Sequence, residues 1–262
     1  MRPPAPLRLV ACLALIPLRL ARADGPTPDP TRLLAALQAL EQPRGCWAYT
    51  VTKQLTEKGV VTIDVERFNP TQPDSALWTL LSHNGTVPNA AAQASYRKKK
   101  LAWWKKEQAR HRKLESQELT AKLRDRAWKL QPRAPENAGE IVFDFEKPKV
   151  SSLIVRVSRM HDTYAIAAGA PVLLRQVQEF PDPTSALGLR LDYALSEVDY
   201  RLVDPAYAPF VARTIFRGRF HAWGSDQGEV AVEKIYSDYK KVKCYQDRFE
   251  VQIGPSQVIE ER

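Results

Sequence analysis

The residues of this sequence that could do covalent or metal chemistry are scattered rather than grouped. His83, His111, His161 and His221 show no HExxH or paired-ligand spacing, so no metal site is expected. Neither a GxSxG elbow nor a phosphate-cradling glycine loop occurs. Ser95 to Lys98 and Ser237 to Lys240 match S-x-x-K, but an acylating serine of that type needs SDN and KTG elements, and both are missing. Asp192 and Asp199 fall on alternating stretches and read as solvated strand carboxylates, not as an acid–base pair. Asn84-Gly85-Thr86 is formally a glycosylation sequon whose simpler role is a turn. The expectation is a protein that is not an enzyme and uses no cofactor.

Two other kinds of chemistry remain, thiol pairing and non-covalent binding. The first residues carry Arg2 and Arg8, an apolar run from Leu9 to Ile16 and a small-x-small signal at Ala21-Arg22-Ala23. They read as a secretory signal peptide cut after Ala23. Cys12 leaves with it, so Cys46 and Cys244 are an even pair in an exported chain, for which a disulfide is expected. Buried free thiols are the alternative.

Charge is unevenly placed. Removing the four signal arginines from the formal +9 leaves +5, and residues 97–113 hold nine basic groups against Glu107 alone. The basic character therefore belongs to one segment, which suits local contact with anionic lipid or an acidic partner. A nucleic-acid-binding protein would carry a broader basic face, and no nucleic acid is expected.

That segment reads as a helix starting after Pro88-Asn89, with Asn89 as N-cap. At roughly 100° per residue, Tyr96, Leu101, Trp103 and Trp104 share an arc of roughly 160°. Lys98, Lys99, Lys105, Lys106 and Lys113 lie opposite. Three readings stay open: a helix packed on a sheet, a movable lid or membrane-facing helix, and a nucleic-acid arm.

The elements around it follow from periodicity. Asp24 to Pro30 is a proline-rich leader, and Thr31 to Gln42 is a short amphipathic helix with leucines at 33, 34, 37 and 40. Cys46 to Thr56 and Val60 to Phe68 form a hairpin about Glu57-Lys58-Gly59, with Val61, Ile63 and Val65 as the buried side of the second strand. A short strand covers Ala76 to Ser82. Helix then extends from Leu114 to Leu130 on the spacing of Leu119, Leu123, Ala127 and Leu130. Beyond it, strands contain Ile141 to Phe145, Leu153 to Val157, Val172 to Phe180, Leu189 to Leu195 and Val211 to Phe220. A turn over Gly224 to Gly228 leads to a long strand from Val230 to Val242 and a last one over Phe249 to Ile253. The fold class expected is α+β: a strongly curved, open, half-barrel-like antiparallel sheet with helices covering its concave face. One domain over residues 31–253, with a loose tail at 254–262, is the expected organisation.

Curled antiparallel sheets can hold an acyl chain, and the aromatic residues Trp47, Trp78, Trp103, Trp104, Phe216 and Trp223 are candidates to line or close such a hollow or to fill the core. The run RFNPTQPDSALWTLLSHNGTVPNAAAQASYRKKK resembles the strand–WxLL–NG–xxP–helix–Tyr pattern of periplasmic lipoprotein carriers of the LolA/LolB type. FVARTIFRGRFHAWGSDQGEVAVEKIYSDYKKV resembles their closing pair of strands. The resemblance implies an open antiparallel barrel with a helical lid over a hydrophobic cavity, in a carrier or sensor that receives lipid or lipoprotein acyl chains. It covers about a quarter of the chain without its signal, on the residues just quoted. The very basic helix, the terminal cysteine pair and residues 136–171 depart from it. The lipoprotein-sensing domain of envelope-stress regulators, which shares that fold, is a related role.

The functional expectation is thus a periplasmic, non-enzymatic protein of the bacterial envelope holding a lipid or lipoprotein acyl chain in transport or sensing. Tyr96, Leu101 and the aromatic residues above would line or cover the cavity, and Lys98, Lys99, Lys105 and Lys106 would meet headgroups or a partner. The alternative is a periplasmic scaffold whose basic helix docks on an acidic protein or anionic membrane.

Overall fold

In the computed structural model, residues 28–42, 45–109, 115–151, 155–187, 189–222 and 225–245 are described. The signal sequence, Lys113, Trp223, the tail at 254–262 and the strand expected over Phe249 to Ile253 lie outside them.

Helix α1 (Pro30–Leu40) starts one residue ahead of the expected Thr31, because the Asp29 carboxylate accepts the Thr31 amide at 2.9 Å and Pro30 takes the first helical position. The hairpin follows as β1 (Trp47–Glu57) and β2 (Val60–Phe68), turning on Lys58 and Gly59 at φ 50° and 77°. Strand β3 (Trp78–His83) ends in the Asn84-Gly85 turn, where the Asn84 side chain accepts the Ile63 amide at 2.8 Å. Helix α2 (Ala90–Ala109) begins where expected, with the Asn89 side chain capping the Ala92 amide at 2.9 Å.

Helix α3 (Glu115–Arg124) does not run on to Leu130. The Asp125 carboxylate takes the Ala127 amide at 3.0 Å and the Lys147 ammonium at 2.7 Å, which turns the chain out of the helix. Leu130 then enters β4 (Lys129–Gln131), paired with Phe145 of β5 (Glu140–Ser151). The remaining strands are β6 (Val155–Ala167), β7 (Leu173–Phe180), β8 (Thr184–Ala186), β9 (Leu189–Arg201), β10 (Phe210–Ala222) and β11 (Ser225–Lys241). Residues 225–228, expected as a turn, belong to β11: Phe220 faces Gly228 and His221 faces Asp226, with Gly228 at φ 80° in the resulting bulge.

All pairings are antiparallel, in the order β3-β2-β1-β11-β10-β9-β7-β6-β5-β4, with β8 beside β6 and β9. The sheet is open and curved, and the helices lie on its concave face. One row of directly paired residues crosses eight strands: Asp64, Lys53, Lys234, Thr214, Val198, Gln176, Tyr164 and Phe143. Paired residues project to the same side, so both ends of this row face the helices.

The two ends differ in packing. At one, α1 and α3 bury Leu33, Leu37, Leu119, Phe143, Phe145 and Ile166 completely or nearly so. A charged pair sits inside that core: the Lys122 ammonium lies 2.5 Å from Asp162 and donates to the Tyr164 hydroxyl at 3.0 Å. Burial opposes the Lys122 charge, but Tyr164 and Asp162 outweigh it and raise the lysine above its usual range. At the other end α2 covers β1 to β3 and encloses a hollow. Strands β5, β6 and β7 thus form the solid core, while β11 reaches the hollow with Lys234 and Tyr236.

Candidate functional site

The hollow is assembled by strand alternation. Tyr49, Val51 and Lys53 project from one face of β1, and their partners on β2 are Phe68, Glu66 and Asp64. On the far side of β1, Val51 pairs with Tyr236 and Lys53 with Lys234; beyond β2, Phe68 pairs with Trp78. The floor is therefore layered, from an aromatic row (Tyr49, Phe68, Trp78), through Tyr236, Val51 and Glu66, to a charged row (Lys234, Lys53, Asp64).

This inverts the side of β2 expected to be buried. Val61 and Ile63 are 49% and 39% exposed on the outer face, whereas Glu66 is 5% exposed on the inner one. The period was right and the sign wrong, because a cross-element ion pair outweighs hydrophobicity at this position: Lys100 of α2 sits 2.5 Å from the Glu66 carboxylate.

Polar clamps hold α2 in place. The Gln93 amide donates to the Leu80 carbonyl at 3.0 Å and accepts the Leu80 amide at 3.1 Å, pairing with edge strand β3 as another strand would. The Lys100 ammonium also lies 4.4 Å from the centre of the Trp78 ring. Tyr96 and Trp104 point at the sheet, Trp104 lying 6.1 Å from Phe68, while Trp103 is 48% exposed at the mouth. Glu66→Gln should therefore loosen α2. A loss of about 1–2 kcal/mol is expected, with trypsin cutting at Arg97 to Lys106 several-fold faster. An unaltered digestion rate would contradict the clamp.

Between α2 and this floor lies a cavity of about 880 Å³. A second hollow of about 440 Å³ adjoins it, walled by Trp47, Phe210, Tyr239 and the Cys46 end of the disulfide; Tyr49 and Tyr236 are walls of both. The Cys46–Cys244 bond, with Cα atoms 5.5 Å apart, fastens the start of β1 to the chain leaving β11.

Electrostatically the cavity is unbalanced. Lys53, Lys99, Lys100 and Lys234 line it against Asp64 and Glu66. Glu66 is committed to Lys100, and Asp64 contacts His83 at 2.7 Å and Lys53 only at 3.9 Å. Burial, then the charges of Lys100 and Lys53, lower the Lys234 pKa from its ordinary value. Burial, then Glu66, raises the Tyr96 hydroxyl, which stays protonated. The indole N–H groups of Trp78 and Trp104 are buried and meet no acceptor among the described residues.

Of the expected site residues, Trp78, Tyr96, Trp103, Trp104 and Lys99 line the main cavity, and Trp47 the second. Leu101 is half-buried on α2 and Phe216 packs on Phe220 at 6.0 Å; neither lines either hollow. Lys98, Lys105 and Lys106 face solvent. Sequence reading missed Tyr49, Val51, Lys53, Asp64, Glu66, Lys100, Lys234 and Tyr236. The signal was present in the aligned alternation of Tyr49-x-Val51-x-Lys53 with Asp64-x-Glu66-x-Phe68, once the polar side of β2 is taken as the inner one.

The described histidines each meet an aspartate: His83 with Asp64, His161 with Asp144 at 3.4 Å and His221 with Asp192 at 2.8 Å. No group of three potential metal ligands occurs among the described residues. What the arrangement offers is an aromatic trough with a cationic end.

No protein-family profile matches the chain, and no curated protein matches it. Among solved structures, the chain is similar to a LolA superfamily protein from Nitrosomonas europaea, at 11% identity over 85% of this chain and 97% of that one, with a TM-score of 0.31.

Proposed function

We propose that the protein is an exported, non-enzymatic binder of a lipid or lipoprotein acyl chain, acting as a carrier or sensor in the bacterial envelope. The observation that carries this reading is the hollow of about 880 Å³ between α2 and the aromatic rows of β1, β2 and β3, in a molecule whose opposite end is packed solid. A volume in this range suits a small amphiphile. Each methylene buried there contributes about 0.8 kcal/mol, so binding needs no covalent step. The disulfide supports an oxidising compartment, as expected of an exported chain. Lys98, Lys105 and Lys106, exposed on the outer side of α2, supply the surface that meets an anionic membrane.

The test is native mass spectrometry of protein purified without detergent. A population heavier by the mass of a lipid or lipopeptide, removed by organic extraction, is expected. A single unliganded mass that gains nothing on incubation with lipid vesicles would contradict the reading.

A further inference from the structure

We infer that the cavity under α2 selects amphiphiles with an anionic headgroup, a phosphate or carboxylate held by Lys53 and Lys234, with the tail lying past Tyr49 toward the second hollow. The inference deepens the proposed acyl-chain binding and rests on it.

Three observations meet here. First, Lys53 and Lys234 are direct partners across β1 and β11 and project together into the cavity. Like charges placed opposite each other destabilise a sheet. Their neighbours do not relieve the repulsion: Glu66 is taken by Lys100, Asp64 is shared with His83, and Lys234 forms no ion pair among the described residues. An anion between the two ammonium groups removes the repulsion and completes the site. Burial first, then the charges of Lys100 and Lys53, depresses the Lys234 pKa.

Second, the charge is confined to one end of the floor: Lys234, Lys53 and Asp64 form one row, whereas Tyr49, Phe68 and Trp78 form the opposite, aromatic row. Third, the apolar route leads away from the lysines. Tyr49 lies 5.9 Å from Tyr236 and 5.4 Å from Tyr239, forming an aromatic wall shared by the two hollows. Charge at one end and aromatic surface along the rest match a single-headed amphiphile.

The experiment titrates the full-length secreted protein, stripped of lipid, with three probes followed by tryptophan fluorescence. They are dodecyl phosphate, dodecanol and inorganic phosphate. Dodecyl phosphate should bind about 10-fold or more tightly than dodecanol. Lys234→Met, which keeps the apolar stem, should close that gap by weakening dodecyl phosphate. A rise in salt should weaken dodecyl phosphate but not dodecanol, a readout needing no variant. Equal binding of the two amphiphiles, or a gap indifferent to both salt and Lys234→Met, would overturn the headgroup assignment and leave acyl-chain binding standing. Failure of both amphiphiles to bind would sink the underlying reading as well. Inorganic phosphate binding as tightly as dodecyl phosphate would make the site one for a free anion and overturn the amphiphile.

Discussion

Val51→Trp is expected to abolish tight amphiphile binding without unfolding the protein. Val51 lies buried in the middle row of the floor, between Glu66 on β2 and Tyr236 on β11, and lines the main cavity. An indole there projects into the hollow beneath α2. Excluding only four methylenes of a bound chain forfeits about 3 kcal/mol, equivalent to about 100-fold in affinity. Stability should fall by about 1–3 kcal/mol, because Val51 is buried in a cluster with Leu77 and Trp78 and the larger indole makes its neighbours shift toward the hollow. Urea unfolding and amphiphile titration on the same preparation separate the two effects. Undiminished affinity in a folded Val51→Trp protein would place the ligand elsewhere.

The second large effect concerns the Cys46–Cys244 bond. It joins residues 198 positions apart, so in the chain-entropy view its loss releases a large unfolded-state constraint, up to about 5 kcal/mol and in practice about 2–4. The native state is also affected locally. Beside the bond, the Val242 amide donates to the Cys46 carbonyl at 2.9 Å and the Tyr245 amide to the Pro70 carbonyl at 2.8 Å. Their acceptors Cys46 and Pro70 line the second hollow. A Cys46→Ser/Cys244→Ser protein should therefore unfold at markedly lower denaturant, and reductant should shift the parent but not the double variant. Identical midpoints for parent, reduced parent and variant would show that the bond contributes nothing.

The architecture was legible because its signals are local. Strand period, the Lys58-Gly59 and Asn84-Gly85 turns and the Asn89 cap each depend on a few neighbouring residues, and the cysteine pair followed from an even count in an exported chain. What sequence reading lost depends on long-range pairing. The burial of Glu66 requires Lys100, 34 positions later, and the Lys53–Lys234 juxtaposition requires the β1–β11 register. The helix beyond Arg124 failed for a related reason: leucine spacing favoured continuation, but Asp125 found Lys147 on β5 and Leu130 found Phe145. Aromatic residues on α2 pointed correctly to the region of the hollow. The strand residues forming its floor remained hidden, since charged positions such as Lys53 and Asp64 look like solvent-facing ones until the opposing helix is placed.

The same distinction explains why the central expectation held in kind and shifted in place. A curved sheet with a hollow was anticipated, with Phe216 and Trp223 of the late segments among its lining candidates. Phe143, Phe145, Tyr164 and Ile166 instead meet α1 and α3 in a filled core, whereas the early hairpin, bridged by Gln93 and Lys100 to a weakly amphipathic helix, keeps its space open. Polar clamps set the height of α2 above the sheet without filling the volume beneath it.

The most direct measurement is quenching of tryptophan fluorescence by a fatty acid brominated along its chain, compared between the parent and a Trp78→Phe/Trp104→Phe variant. Bromine quenches only an indole it touches. If the acyl chain lies under α2, the brominated acid should quench the parent strongly at saturation, the unbrominated acid should not, and the quenching should fall in the variant to what Trp103 and Trp47 contribute. Absence of quenching in the parent, or equal quenching in the variant, would contradict an acyl chain in this cavity.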